Sequence, residues 1–271
     1  MIIDFHAHVF PDKIAKRTLE ALSAQGGGLP YFSDGTVSGL LEKMAEADVS
    51  IAVNLPVLTN PAQFDSVNRF AAELNGAFSD KDRRIVSFAG IHPLCDHLRE
   101  KMKWIKSQGF LGIKIHPDYQ DTFIDDDAYL EIFKAAKEED LMVVTHAGVD
   151  DGYPNAPVHC TPERTLNVLQ KIGSFKFILA HYGGNRMPNE VFELLAGKDV
   201  YFDTAYMLRL IKQEDFLRIL EKHGDDRILF ATDSPWSDIR KDVKTLRSYS
   251  LQPTTEQKIL SENAKRLLGI Q

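Results

Sequence analysis

The amino-acid sequence predicts an α/β fold, and within that class a closed (β/α)8 TIM barrel. Short apolar segments rich in β-branched residues recur eight times along the 271 residues, and segments with a helical pattern separate them. The repeat averages about 34 residues, which is enough for one strand, one helix and two loops. Most of the histidines fall where the apolar segments end, and functional residues occupy that position in barrels of this kind.

The eight apolar segments predict eight strands of a parallel sheet. Strands that alternate with helices pair in parallel, because a crossover helix returns the chain to the same edge of the sheet. The competing architecture is an open doubly wound sheet, whose first strand normally ends in a glycine-rich phosphate turn, whereas this one ends in His6-Ala7-His8. We therefore expect a closed barrel and a single domain over residues 1–271. The predicted strands are Ile2–His6, Ser50–Leu55, Ile85–Gly90, Leu111–His116, Leu141–His146, Phe175–His181, Val200–Thr204 and Ile228–Asp233.

The segments between the predicted strands carry helical signals. Apolar residues recur with a period near 3.6, and Thr161 followed by Pro162 is typical of a helix start. Two longer segments, Leu22–Val37 and Ala147–Cys160, are rich in glycine or proline, and we expect them to be loops. Long loops at the carboxyl-terminal rim of a barrel usually serve its function.

Composition excludes several classes of protein. The net charge of −7 argues against a nucleic-acid partner, and two cysteines are too few for a disulfide framework. The sequence contains no run of about 18 apolar residues, so it predicts no membrane-spanning helix. The amino-terminal segment lacks the basic and apolar regions of a secretory signal, so we expect a cytoplasmic protein.

Histidines concentrate at one end of the predicted barrel. Because residues i and i+2 of a strand share a face, we expect Ile2, Asp4, His6 and His8 to point inward together. Six of the nine histidines lie at or just beyond a strand end, namely His6, His8, His92, His116, His146 and His181.

A metal site follows from this arrangement. His146 ends the fifth predicted strand and Asp233 ends the eighth, on either side of the mouth from His6 and His8. Imidazole nitrogen is a ligand for zinc, iron, nickel and copper. Three imidazoles and one carboxylate suit a catalytic zinc ion that keeps a position for water. We therefore predict a metal site made of these four side chains.

The fourth predicted strand contributes Lys114 and His116. Alternation places both inside the barrel, where a lysine is costly to bury unless it has a partner. Lys114 is predicted to hold a substrate carboxylate, and an internal salt bridge to Asp4 or Asp203 is the structural alternative. His116 is predicted as a substrate contact, with a purely structural role as its alternative. We interpret His159, in the loop after the fifth strand, as a solvated surface charge, with binding of an anionic substrate as its alternative.

The ordered motifs resemble the amidohydrolase superfamily. The similarity is strongest to the amidohydrolase-related branch that includes decarboxylases related to aminocarboxymuconate semialdehyde decarboxylase. The matching runs are Asp4-Phe5-His6-Ala7-His8, Gly112-Ile113-Lys114-Ile115-His116-Pro117, Thr145-His146, Leu179-Ala180-His181-Tyr182-Gly183-Gly184, Ala231-Thr232-Asp233-Ser234-Pro235 and a closing helix over 260–269.

The resemblance implies a role for each matched residue. His6, His8 and His146 would bind the metal, and Asp233 would be a fourth ligand or would bond to the metal's water. His181 would lie beside the metal and act on water or substrate. The branch usually holds one divalent ion, most often zinc, and often forms homodimers. In binuclear relatives a carboxylated lysine at the position of Lys114 bridges a second ion, which fits this branch less well.

The predicted function is that of a metal-dependent hydrolase acting on a small molecule. A bound metal ion lowers the pKa of its water and so supplies a nucleophile for an amide, lactone or ester carbonyl. Asp233 would move the proton, and His181 would orient the water or stabilise the oxygen that gains charge. The first alternative is a metal-dependent, non-hydrolytic decarboxylase of a small carboxylated substrate. The second is a non-catalytic binding protein on the same barrel.

Overall fold

Short parallel strands form a ring at the centre of the molecule, in a computed structural model that describes residues 1–79 and 81–270. Seven of the eight predicted strands are present within two residues of their expected ends, although the third is divided into two by Phe88. The eighth, predicted as Ile228–Asp233, ends four residues early at Leu229, so Asp233 lies in the loop that follows it. The strands are β1 (Ile3–Ala7), β2 (Ile51–Asn54), β3 (Arg84–Ser87), β4 (Ala89–Gly90), β5 (Gly112–Ile115), β6 (Met142–Thr145), β7 (Phe177–Leu179), β8 (Tyr201–Asp203) and β9 (Ile228–Leu229).

The ring closes between the first and the last strand. Hydrogen bonds run in the order β1-β2-β3 and β4-β5-β6-β7-β8-β9, and only Phe88 separates the two series. The amide of Phe5 donates to the carbonyl of Phe230 at 2.9 Å, and the amide of Asp233 donates to the carbonyl of His6 at 2.8 Å. Because β3 and β4 are two parts of one interrupted strand, the nine strands occupy eight positions around the ring. The predicted TIM barrel is therefore confirmed.

Helices follow the strands and cover the outside of the ring. Two boundaries differ from those expected, because α1 continues through Gln25 into the predicted Leu22–Val37 loop and α2 begins at Val37. The start of α6 is confirmed, since the Thr161 hydroxyl accepts a hydrogen bond from the amide of Arg164. The helices are α1 (Asp12–Gln25), α2 (Val37–Glu46), α3 (Phe64–Ala77), α4 (Leu98–Ser107), α5 (Asp127–Glu138), α6 (Pro162–Ile172), α7 (Pro188–Glu190), α8 (Gln213–His223), α9 (Ile239–Ser248), α10 (Pro253–Gln257) and α11 (Asn263–Leu268). Of the helices in residues 1–79 and 81–270, none is long and apolar enough to cross a lipid bilayer.

An irregularity in β1 corrects the predicted alternation of that strand. Ile3 and Phe5, not Ile2, belong to the apolar cluster drawn from the strands that fills the barrel, so Asp4 does not share the inward face. The pairing register of β1 with β2 shifts between Asp4 and Ala7. Such a bulge places two successive residues against one partner residue and re-aims the following side chain. His6 therefore reaches the mouth of the barrel although Phe5, its neighbour, points into the interior.

Candidate metal centre

Two imidazoles from the end of β1 meet one carboxylate at the carboxyl-terminal mouth of the barrel. His6 Nε2 lies 3.2 Å from His8 Nε2. Asp233 Oδ1 lies 3.4 Å from His6 Nε2 and 3.0 Å from His8 Nε2. The three side chains are almost completely removed from solvent, with exposed fractions of 1%, 14% and 11% for His6, His8 and Asp233. The structure thus brings together three of the four predicted ligands.

Neighbouring acceptors fix the tautomers of both imidazoles. His6 Nδ1 donates to Asp203 Oδ2 at 2.8 Å, and His8 Nδ1 donates to the carbonyl of Leu55 at 2.8 Å. A neutral imidazole that donates through Nδ1 carries a lone pair on Nε2, so the hydrogen-bond network assigns both protons. Both Nε2 atoms therefore present lone pairs to the same small volume.

The donor set fits a divalent cation. Two nitrogen atoms and a carboxylate oxygen lie within 3.4 Å of one another, an arrangement that a shared divalent cation would stabilise. Burial first, and then the charge of Lys114, holds the pKa of His6 well below its usual value, which keeps that ring neutral. Imidazole nitrogens with a carboxylate are the ligands that zinc and similar divalent metals take in catalytic sites.

Two residues of the site have a left-handed backbone. Asp233 has a φ of 67° and His181 has a φ of 56°. Residues other than glycine adopt such angles at a cost, and they persist where the surrounding structure imposes them. At Asp233, the backbone hydrogen bond to the carbonyl of His6 holds the turn in place. The turn that orients this carboxylate is therefore tied directly to the strand that supplies the imidazoles.

His146 stands apart from this group of three. It is not among the residues whose ligand atoms all lie within 4.8 Å of those of His6, His8 and Asp233. Its Nδ1 instead lies 2.9 Å from His181 Nε2. The structure therefore places the fourth predicted ligand beside the residue predicted to act next to the metal, and not in direct contact with the other three.

A second cluster contains His116, His146 and Asp150, whose ligand atoms also lie within 4.8 Å of one another. The rings of His116 and His146 are stacked, with centroids 4.3 Å apart and an interplanar angle of 14°. Imidazole lone pairs lie in the ring plane, so those of two stacked rings run nearly parallel and do not converge on one ion. His116 Nε2 lies 3.4 Å from Asp150 Oδ2, and Tyr119 packs on its other face with centroids 4.0 Å apart. We interpret this cluster as one side of the barrel mouth, next to the metal centre.

Lys114 lies deep in the barrel beside the metal centre. Its side chain is 1% exposed, and Nζ lies 3.1 Å from His6 Nε2. Neither Asp4 nor Asp203 forms a salt bridge with Nζ within 4.0 Å, since Asp203 bonds to His6 and Asp4 to Thr232. Asp203 is still the nearby carboxylate whose charge opposes the effect of burial on Lys114 most strongly. Burial lowers the pKa of Lys114 to about 8. The buried ammonium group thus has His6 Nε2 within hydrogen-bond distance, but no carboxylate partner within 4.0 Å among the described residues.

His159 corrects the expectation of a solvated surface charge. It is 5% exposed, and its Nδ1 lies 3.1 Å from Asp118 Oδ1. The loop that follows β6 therefore folds back over the loop that follows β5. Sequence reasoning also missed Asp118 and Asp150, which had no signal beyond their position after strands β5 and β6. It considered Asp203 only as a partner of Lys114, whereas Asp203 is the acceptor that orients His6.

Comparison with known protein families identifies the family of the chain. The family model described as amidohydrolase matches residues 3–270. The chain belongs to the amidohydrolase family. Among curated proteins, none matches the sequence of this amidohydrolase.

Solved structures share the fold of this amidohydrolase along its whole length. An amidohydrolase from Staphylococcus aureus is 21% identical, with a TM-score of 0.71 and 99% of each chain covered. The 5-carboxyvanillate decarboxylase of Sphingomonas paucimobilis is 15% identical, with a TM-score of 0.69, covering 100% of this chain and 99% of that one. A dihydroxybenzoic acid decarboxylase from a Polaromonas species, with bound manganese and the inhibitor 2-nitroresorcinol, is 16% identical, with a TM-score of 0.71 and coverages of 99% and 96%.

Proposed function

We propose that this amidohydrolase is a metal-dependent decarboxylase of a small carboxylated substrate. The observation that carries the choice is Lys114, a buried cation 3.1 Å from His6 Nε2 that has no carboxylate partner within 4.0 Å among the described residues. Burying an ammonium group is costly unless an anion compensates it. A substrate carboxylate supplies that anion beside the metal centre. The fold shared with decarboxylases of hydroxylated benzoates makes such aromatic acids the first class to test.

The metal centre in this proposal is formed by His6, His8 and Asp233, with His146 as a further ligand from β6. The donor set suits zinc, and it suits manganese, which the similar Polaromonas enzyme binds. A divalent ion bound there acts as a Lewis acid that draws electron density from the substrate's oxygen atoms.

The chain's own side chains do the remaining work. Lys114 binds and orients the carboxylate, close to the aromatic cluster in which His116 lies between Tyr119 and His146. Asp233 and His181 are the groups placed to hold the proton that reaches the carbon bearing the carboxyl group. As that C–H bond forms and the bond to the carboxyl carbon breaks, the electron pair returns to the ring and CO2 leaves.

Hydrolysis is the second candidate, and the position of Asp233 favours it. Its Oδ1 lies 3.0 Å from His8 Nε2, so the carboxylate is placed to take a proton from a water molecule at the metal centre. Such a water would attack an amide, lactone or ester carbonyl. A non-catalytic binding protein is disfavoured, because His6, His8 and Asp233 keep a geometry that fits a metal.

One experiment separates the two chemistries. The protein is reconstituted with Zn²⁺ or Mn²⁺ and assayed against hydroxylated benzoates that carry a carboxyl group beside a hydroxyl group, and against matched esters, lactones and amides. We expect CO2 release from an acid of the first set and a higher KM for the Lys114→Gln variant. Acid release from the second set, without CO2 from the first, would establish hydrolysis instead.

The single domain over residues 1–271 and the homodimer stay predictions; Asp80 and Gln271 lie outside the described residues.

A further inference from the structure

Two buried polar atoms near the metal centre have no hydrogen-bond partner among the described residues, and they face each other. They are His146 Nε2 and Asp118 Oδ2, which lie 3.7 Å apart. The side chains are 6% and 2% exposed, so water does not reach them freely. A buried polar atom without a partner costs about 1–3 kcal/mol, so the native arrangement of this pair calls for an explanation.

The tautomers of the neighbouring histidines explain why the pair is unmatched. His181 Nδ1 donates to the carbonyl of Ala205 at 3.0 Å, so its Nε2 carries a lone pair. That lone pair lies 2.9 Å from His146 Nδ1, which must therefore carry the proton. The lone pair of His146 then lies on Nε2, directed at a carboxylate oxygen. In this state the two atoms repel each other.

A cation at Nδ1 of His146 reverses the mismatch. The imidazole would lose its proton at Nδ1 and gain one at Nε2, so that its charge is unchanged. The new N–H would point at Asp118 Oδ2, and an approach of about 0.7 Å would give an ordinary hydrogen bond. Both unpartnered atoms would then be satisfied by one change.

Asp118 is held ready for this role by the loop after β6. Its Oδ1 accepts hydrogen bonds from the backbone amide of His159 and from His159 Nδ1, both at 3.1 Å. With Oδ1 engaged, Oδ2 is left facing His146. Through His159, the Ala147–Cys160 loop thus orients the Asp118 carboxylate toward His146.

We propose that Asp118 is a positioning residue that accepts a hydrogen bond from His146 Nε2 and thereby commits His146 Nδ1 to a divalent cation. The inference rests on the proposed metal centre and adds to it the ring atom through which His146 binds. Carboxylates that orient metal-bound histidines in this way typically contribute about 10–100-fold to metal affinity.

The test measures metal affinity, not turnover. Zn²⁺ binding is followed by competition with a chromophoric chelator for the wild type, Asp118→Asn and the control Asp199→Asn, whose side chain is exposed. We expect Asp118→Asn to bind about 10–100-fold more weakly and the control to match the wild type. Equal affinity of Asp118→Asn and wild type would overturn the proposal.

A second measurement on the wild type covers the case in which Asp118→Asn does not fold. Nitrogen NMR of histidine-labelled protein reports which ring nitrogen of His146 carries the proton. We expect the proton on Nδ1 without metal and on Nε2 with Zn²⁺; a metal-loaded protein with the proton still on Nδ1 overturns the inference. If instead the wild type binds no Zn²⁺, or binds it equally well after His8→Ala, the proposed metal centre itself fails.

Discussion

Asp203 Oδ2 accepts a hydrogen bond from His6 Nδ1 at 2.8 Å, across the barrel mouth from β8 to β1. The other oxygen of Asp203 accepts from the backbone amides of His181 and Ala205 at 3.0 and 3.1 Å. One carboxylate thus sets the tautomer of His6 and anchors the turn that carries His181. The orientation of the metal centre therefore depends on a residue outside the predicted ligand set.

Asp203→Asn is expected to weaken metal binding. The retained oxygen will stay with the two backbone amides, so the new NH2 group will face His6 Nδ1 and favour the tautomer with a proton on Nε2. That proton occupies the nitrogen needed for the metal, and we expect affinity to fall about 10–100-fold. Chelator competition measures it, with the exposed Asp199→Asn as control. Unchanged affinity would show that Asp203 does not set the tautomer.

Asp233→Asn is expected to abolish most of the turnover while leaving the fold intact. The amide cannot take up or deliver a proton, and a general acid or base contributes about 10²–10⁴-fold to rate. Steady-state kinetics at saturating metal measures the effect on kcat, and circular dichroism checks the fold. A variant with the kcat of the wild type would rule out the assigned role.

Lys114→Met is expected to stabilise the protein and impair its function. Methionine fills a similar volume without burying a charge, so we expect the metal-free protein to gain about 1–3 kcal/mol in free energy of unfolding. The same variant should lose affinity for a carboxylated substrate, seen as a higher KM. Urea denaturation and kinetics measure the two effects. A destabilised variant with unchanged KM would indicate a structural lysine.

Asp242 on α9 is expected to make stability fall as pH rises. Its side chain is buried, and burial followed by repulsion from Asp4 raises its pKa to about 8. Between the unfolded pKa near 4 and the folded pKa near 8, the unfolded state releases a proton that the folded state keeps. Folding therefore loses up to about 1.4 kcal/mol per pH unit across that window.

Asp242→Asn should remove this slope. The variant should match the wild type below pH 4 and become progressively more stable than it towards pH 8, as followed by urea denaturation of the metal-free protein. The exposed Asp121→Asn serves as control and should keep the slope of the wild type. Parallel curves for Asp242→Asn and wild type would contradict the assignment.

The positions of the strands could be predicted because apolar runs and their spacing are local properties of the sequence, although the last strand ends at Leu229 and not at Asp233. His8 and Asp233 lie together as expected, since each ends or follows a strand of one closed ring. The predicted inward orientation of Ile2 and Asp4 on β1 was wrong. The bulge that changes the alternation depends on pairing with β2 and has no clear local signal in the sequence. His6 does lie at the mouth, but because of this bulge and not because of the alternation from which its position was predicted.

The partners of the histidines could not be predicted for a related reason. Asp118 and His159 lie 41 residues apart in sequence, and their contact exists only because one loop folds over another. Which nitrogen of an imidazole carries a proton depends on such contacts. Sequence patterns therefore identify the ligands, while the tautomers that prepare them follow from the structure.

The most direct test of the central claim is the metal content of the purified protein. Elemental analysis of the wild type and of a His6→Ala/His8→Ala double variant, each after incubation with Zn²⁺ and desalting, measures metal per chain. We expect about one equivalent in the wild type and nearly none in the folded double variant; a value near two would point to a second ion at a carboxylated Lys114. A folded wild type without bound metal, or a double variant with the same content, would contradict the account.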